Sequence, residues 1–195
     1  QLCTACHNKN GAAKAKLLGD NYHAVDVTLD RFNITTTLPL YDSGADKVAN
    51  GKIVCLTCHE PHTWDPNNPV LNYTFKNVEG DARNSFLRKT NSPSSDLCKA
   101  CHIDKAFIDG TDHDLNVTDP EAKNLLGQTV KESGQCGVCH MVHNSPNKIK
   151  LWGRSFGRIS NDEDVINSLC NGCHSSDGIA KNKIPVIATH PEERL

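Results

Sequence analysis

The chain has 195 residues, with 21 basic against 23 acidic side chains and a formal net charge of −2, so charge gives no case for nucleic-acid binding. Hydrophobic residues make up 37% and aromatics 5%, below the apolar share of roughly 45–50% usual in globular domains. No apolar run approaches the roughly 18 residues of a membrane span.

Gln1 stands two residues before Cys3, a start that suggests a processed N-terminus. Cys3, Cys6 and His7 then form the first of five CxxCH units. The others are Cys55-Cys58-His59, Cys98-Cys101-His102, Cys136-Cys139-His140 and Cys170-Cys173-His174, and together they use all ten cysteines. Between the first two units, residues 23–45 are rich in Thr and β-branched side chains, which predicts short strands with a turn at Asp42-Ser43-Gly44. Residues 119–127 read as a short helix, with Asp119 as cap, Pro120 at the first position and Gly127 at the end. Short helices are also expected after several CxxCH units. Most of the rest is loop, studded with Asn, Asp, Pro and Gly.

CxxCH reads as an attachment site for haem c. Two thiols at this spacing can each form a thioether to one vinyl group of a porphyrin, and the next residue places an imidazole under the iron. A disulfide framework gives no reason for five histidines at one offset. Zinc would take CxxC pairs in twos, and five is odd. A thioredoxin-like motif would appear once, beside a βαβ pattern that is not visible. The expectation is five covalently attached haem c groups, with His7, His59, His102, His140 and His174 as proximal ligands.

Five other histidines remain, one per iron: His23, His62, His113, His143 and His190. Residues 2–23, "LCTACHNKNGAAKAKLLGDNYH", align without a gap on residues 169–190, "LCNGCHSSDGIAKNKIPVIATH". His23 and His190 thus occupy one position of a repeated module, 16 residues after their proximal histidines. His62 and His143 close CxxCHxxH units, and His113 lies 11 residues after His102. Long and short spacings alternate, which predicts a repeat over 1–95, a second over 96–168 and a half repeat over 169–195. Met141, the single methionine, adjoins His140 and cannot reach the far face of the same haem. Bis-histidine ligation follows, and with it low potential, since Met ligation raises the potential.

Three residues apart on a helix, His59 and His62 share one side, so His62 should serve a neighbouring haem, and so should His143. One expected pairing gives His62 to the Cys3/Cys6 haem, His23 to the Cys55/Cys58 haem, His143 to the Cys98/Cys101 haem and His113 to the Cys136/Cys139 haem. The last haem would then take His190 or a ligand from outside this stretch. Trp64 and Trp152 each follow a CxxCHxxH unit, where stacking on porphyrin and simple packing are equal expectations.

The five units, the CxxCHxxH variant and the phrases "VCLTCHEPHTW", "GTDHDL" and "SGQCGVCHMVHNS" resemble multihaem c-type cytochromes of metal-respiring and related anaerobes, over nearly the whole chain. The resemblance implies electron carriage outside the cytoplasm, periplasmic or extracellular, along closely spaced haems. Some members polymerise into extracellular filaments whose subunits share a histidine ligand in trans, so the implied partners are other redox proteins or like subunits. The expected fold is mostly irregular, with short α-helices, few short strands and little regular sheet, wrapped around a closely packed chain of haems. Every haem has a candidate sixth ligand and no unit is CxxCK, so an electron conduit is expected rather than an enzyme. The alternative is a multihaem reductase of the nitrite, hydroxylamine or tetrathionate type with one labile haem, the candidates being those served by His113 and His190.

Overall fold

A sequence interrupted this often by Asn, Asp, Pro and Gly sustains only short elements. The computed structural model of the chain describes residues 2–14, 18–61, 86–156 and 165–183. Among them, six α-helices run Leu2–Cys6 (α1), Cys55–Cys58 (α2), Asp96–Lys99 (α3), Leu115–Thr118 (α4), Val130–Gly137 (α5) and Val165–His174 (α6). One antiparallel pair joins Val27–Thr28 (β1) to Lys52–Ile53 (β2), with Val27 opposite Ile53. The fold is therefore mostly irregular, with short helices and very little sheet, as the sequence leads one to expect.

The helices carry the CxxCH units rather than only following them. In four units the histidine N–H donates to the carbonyl of the first cysteine: His7 to Cys3 at 2.9 Å, His59 to Cys55 at 3.0 Å, His102 to Cys98 at 2.9 Å and His140 to Cys136 at 2.8 Å. That is the helical bond between residues four apart. CxxCH is thus itself one helical turn, which brings the first cysteine and the histidine to the same face. A 3-10 helix, Ile103–Ile108, follows the third unit, and another, Lys181–Lys183, follows the fifth.

The turn at Asp42 forms as predicted. Asp42 Oδ1 accepts from the N–H groups of Gly44 at 2.8 Å and Asp46 at 2.9 Å. Tyr41 and Lys52 then exchange both backbone hydrogen bonds, at 3.1 and 2.7 Å. The helix expected over 119–127 does not form. Helix α4 lies just upstream and ends at Thr118, capped by Asp119, whose φ is −155°. The Asn124 side chain then captures the N–H groups of Leu126 and Gln128, at 3.0 and 3.1 Å. Such local side-chain acceptors compete with helix formation.

The sequence repeat between 2–23 and 169–190 is also a repeat of hydrogen bonds. The N–H of Gly11 donates to Asn8 and that of Gly178 to Ser175, both at 3.0 Å; Ala13 donates to Cys6 at 3.1 Å and Ala180 to Cys173 at 2.9 Å. Glycine is needed at both positions. A Cβ there would stand 2.1 Å from the Cys6 carbonyl oxygen and 2.0 Å from that of Cys173.

Apolar packing is sparse. One cluster holds Leu29, Leu40 and Ile53, with Val27 and Ile34 against it. The second holds Ala122, Val130 and Val138, with Leu115 and Cys139 against it. Large apolar side chains elsewhere face outward, among them Phe107 at 76% and Ile103 at 70% exposure. The chain divides into two units, Gln1–Gly153 and Arg154–Leu195.

Candidate haem sites

No disulfide joins the ten cysteines. Among the described residues no group of three or more His, Cys, Asp or Glu side chains gathers as a bare metal ion requires. Thiols of the first and second CxxCH units meet, and so do thiols of the third and fourth. Cys55 lies within hydrogen-bonding reach of Cys3, and burial followed by Cys3 raises its pKa. Cys58 is pushed up to about 11 by burial, with Cys101 as the next cause. Cys98 donates to Asn91 Oδ1 at 3.5 Å and lies within hydrogen-bonding reach of Cys136, a contact that raises Cys98 and lowers Cys136 to about 6.

Arg88 crosses behind the second unit. Its Nε donates to the Leu56 carbonyl at 2.7 Å, its Nη2 to the Tyr41 hydroxyl at 3.0 Å, and it pairs with Glu60 at 2.6 Å. Nothing in the spacing of the cysteines and histidines marks Arg88, because it arrives from 30 residues downstream of Cys58 through tertiary contacts.

Three histidines are oriented through Nδ1. His140 donates from Nδ1 to the Lys150 carbonyl at 2.7 Å, His174 to Lys183 at 2.9 Å and His23 to Ala24 at 3.1 Å. A carbonyl accepts only from N–H, so Nδ1 carries the proton and Nε2 keeps its lone pair. A metal-ligating histidine is held in this tautomer by a partner of this kind.

The structure brings two CxxCH histidines to two others. His23 and His102 have ring centroids 6.2 Å apart at 74° between planes. His59 and His143 have centroids 6.1 Å apart at 24°. His143 is lowered to about 4, by desolvation first and then by His59, His23 and His7. His102 is lowered by desolvation and then by His23. This differs from the pairing expected from the sequence, which gave His23 to the second unit and His143 to the third. The cause is a ladder that spacing does not announce. His23 N–H donates to Val142 at 2.8 Å, Asn144 N–H to Leu18 at 2.7 Å and Ser145 N–H to Asn21 at 3.0 Å, with the Asn21 amide returning to the Ser145 carbonyl at 3.0 Å. The segments carrying His23 and His143 are thereby clamped side by side.

Gly19 closes this clamp with φ +72°, and a Cβ there would stand 2.1 Å from Asn144 Oδ1 and 2.9 Å from its Cα. Gly19→Ala should therefore lower stability by about 1–3 kcal/mol, from the left-handed backbone and the clash together. Denaturant unfolding of the haem-loaded protein measures this; an unchanged midpoint would mean that the clamp is not under such constraint.

His7 and His113 are exposed, as are large parts of the first unit. His113 lies in the turn before α4, with its N–H on Thr111 Oγ1 at 3.3 Å. His62, His190 and Trp64 lie outside the described residues. Trp152 meets His140 edge-on, with centroids 5.7 Å apart at 80°. Met141 is buried against Gly153, where a Cβ would stand 2.7 Å from Met141 Cγ.

These residues fit haem c. The thiols stand on helical turns with an imidazole directly behind, and Nδ1 bonding to a carbonyl leaves the Nε2 atoms of His23 and His140 as donors to a metal. The buried Trp152 indole N–H has no hydrogen-bond partner among the described residues, which suits an acceptor such as a propionate. Exposed Ile103 and Phe107, next to His102, offer apolar surface for a porphyrin face.

Residues 128–179 match the family model described as the doubled CXXCH motif. The match covers about a quarter of the chain and spans the fourth and fifth units. It supports a multihaem c-type cytochrome with covalently bound haem c. No curated protein and no solved structure matches the chain.

Proposed function

We infer that the chain is an electron conduit carrying five haem c groups, each closed on both sides by imidazole, and that it works outside the cytoplasm as a carrier rather than as an enzyme. One observation supports the reading: thiols of neighbouring units come together, Cys3 within hydrogen-bonding reach of Cys55 and Cys98 within reach of Cys136, with Cys58 near enough to Cys101 and Cys98 to feel their charge. Each cysteine anchors one porphyrin edge, so neighbouring thiols bring neighbouring porphyrin edges together. Bound haem supplies one-electron iron chemistry. The chain's own residues fix the spacing, orient the imidazoles through carbonyls such as those of Lys150 and Lys183, and set charge near the second unit through Arg88. Among the described residues no helix is long and apolar enough to cross a membrane. Docking to other redox proteins or to like subunits, including end-to-end filament growth, follows from the resemblance to filament-forming cytochromes.

Mass spectrometry should find five porphyrins per chain. Redox titration should resolve several low-potential one-electron steps, and the oxidised protein should be entirely low-spin. A high-spin iron that binds substrate would overturn the conduit in favour of a reductase.

A further inference from the structure

Resting on the multihaem reading above, we propose that His23 and His102 are the two axial ligands of the iron anchored at Cys98/Cys101, and that His143 and His59 are those of the iron anchored at Cys55/Cys58. An imidazole–metal bond of about 2.0 Å, with the ring centre about 1.1 Å beyond its nitrogen, puts two trans rings about 6 Å apart. The two pairs stand at 6.2 and 6.1 Å.

A plain aromatic contact also falls between about 4.5 and 7 Å, and three features separate the cases. Direct contact distance depends on ring angle, whereas separation across an iron does not; here the angles are 74° and 24° and the separations agree. Each pair joins one CxxCH histidine to one histidine outside a CxxCH unit. His23 also has Nδ1 committed to the Ala24 carbonyl, which leaves Nε2 as the donor.

The clamp explains how both are served at once. With His23 N–H on the Val142 carbonyl, the chain holds His23 beside His143. From there the two side chains diverge to the two inner haems of the row. The first unit's module thus supplies the third haem, and the fourth unit supplies the second. Each inner iron is closed by a residue from the other repeat.

The ring angles carry a signature. Nearly perpendicular imidazole planes give a low-spin ferric haem an EPR signal of the large-gmax type, and nearly parallel planes give a rhombic one. The Cys98/Cys101 haem is the first kind, and the Cys55/Cys58 haem is the second.

The test uses the full haem-loaded chain. His23→Ala should leave one high-spin, cyanide-binding iron. The same substitution in a chain already lacking the third haem (Cys98→Ala, Cys101→Ala, His102→Ala) should add none. In a chain lacking the second haem (Cys55→Ala, Cys58→Ala, His59→Ala) it should again add one. His143→Ala should behave in the converse way. His23→Met and His143→Met, which retain a ligand should the alanine variants fail to mature, should each move one midpoint potential upward. The first should remove a large-gmax component and the second a rhombic one. Reversed dependence on the two haem deletions, or loss of the opposite EPR component, overturns the pairing while leaving the multihaem reading intact. A native protein without bis-imidazole low-spin iron defeats that reading itself.

Discussion

Chain that has never been loaded with haem should show no cooperative unfolding transition and little of the helical circular dichroism of the mature protein. The described residues hold two apolar clusters of three buried side chains each. Among the described residues the longest helix, α6, has ten residues and α2, α3 and α4 have four each. Isolated helices shorter than about 12–15 residues are marginal in water, and an isolated two-stranded pair is no better. Net stability of native domains is about 5–15 kcal/mol, so loss of the cofactor contacts should remove all of it. Structural zinc in small domains shows the scale of such coupling, with apparent binding energies of about 10–16 kcal/mol that are folding energy as well. A cooperative, native-like transition in haem-free chain would show that protein packing alone specifies the fold.

Residues 1–95, matured with their two haems but separated from the remainder, should contain a high-spin, cyanide-binding iron at Cys55/Cys58. The ligand assigned to that iron is His143, and the ladder from Leu18–His23 to Val142–Ser145 is lost with it. Adding a matured 96–195 chain should restore the low-spin spectrum. Optical and EPR spectra of the two fragments, alone and mixed, measure both effects. A fragment whose two irons are fully low-spin would show that the first repeat is self-sufficient.

Some of this architecture is legible because local chemistry dictates it. CxxCH closes one helical turn whatever surrounds it, since its histidine N–H needs only the carbonyl of its own first cysteine. Gly11 and Gly178 recur because the same carbonyl blocks a side chain at both places. Asp42 makes its turn with two N–H groups within four residues. The helix expected over 119–127 shows the limit of such rules: Pro120 and Gly127 have the chemistry of helix ends, but Asn124 between them takes the backbone donors that a helix would use. The ligand exchange proposed between the repeats is harder to read. It depends on backbone hydrogen bonds joining Leu18–Asn21 to Asn144–Ser145, more than a hundred positions apart, and backbone donors leave no pattern of residue types behind. Gly19 is the nearest thing to a mark, and its reason appears only when Asn144 lies against it.

Two thiol contacts are alike in kind: Cys3–Cys55 and Cys98–Cys136 each join first cysteine to first. Between the second and third units Cys58 feels Cys101 through charge rather than through a hydrogen bond. On the proposed conduit the junctions would then be of two types. For hops in series the current is limited by the slower type, as by the largest resistor in a circuit. Tightening the junction at Cys3–Cys55 or Cys98–Cys136 would leave throughput unchanged wherever the step between the second and third haems is the bottleneck, and the Arg88 charge is felt at Cys58, on that step.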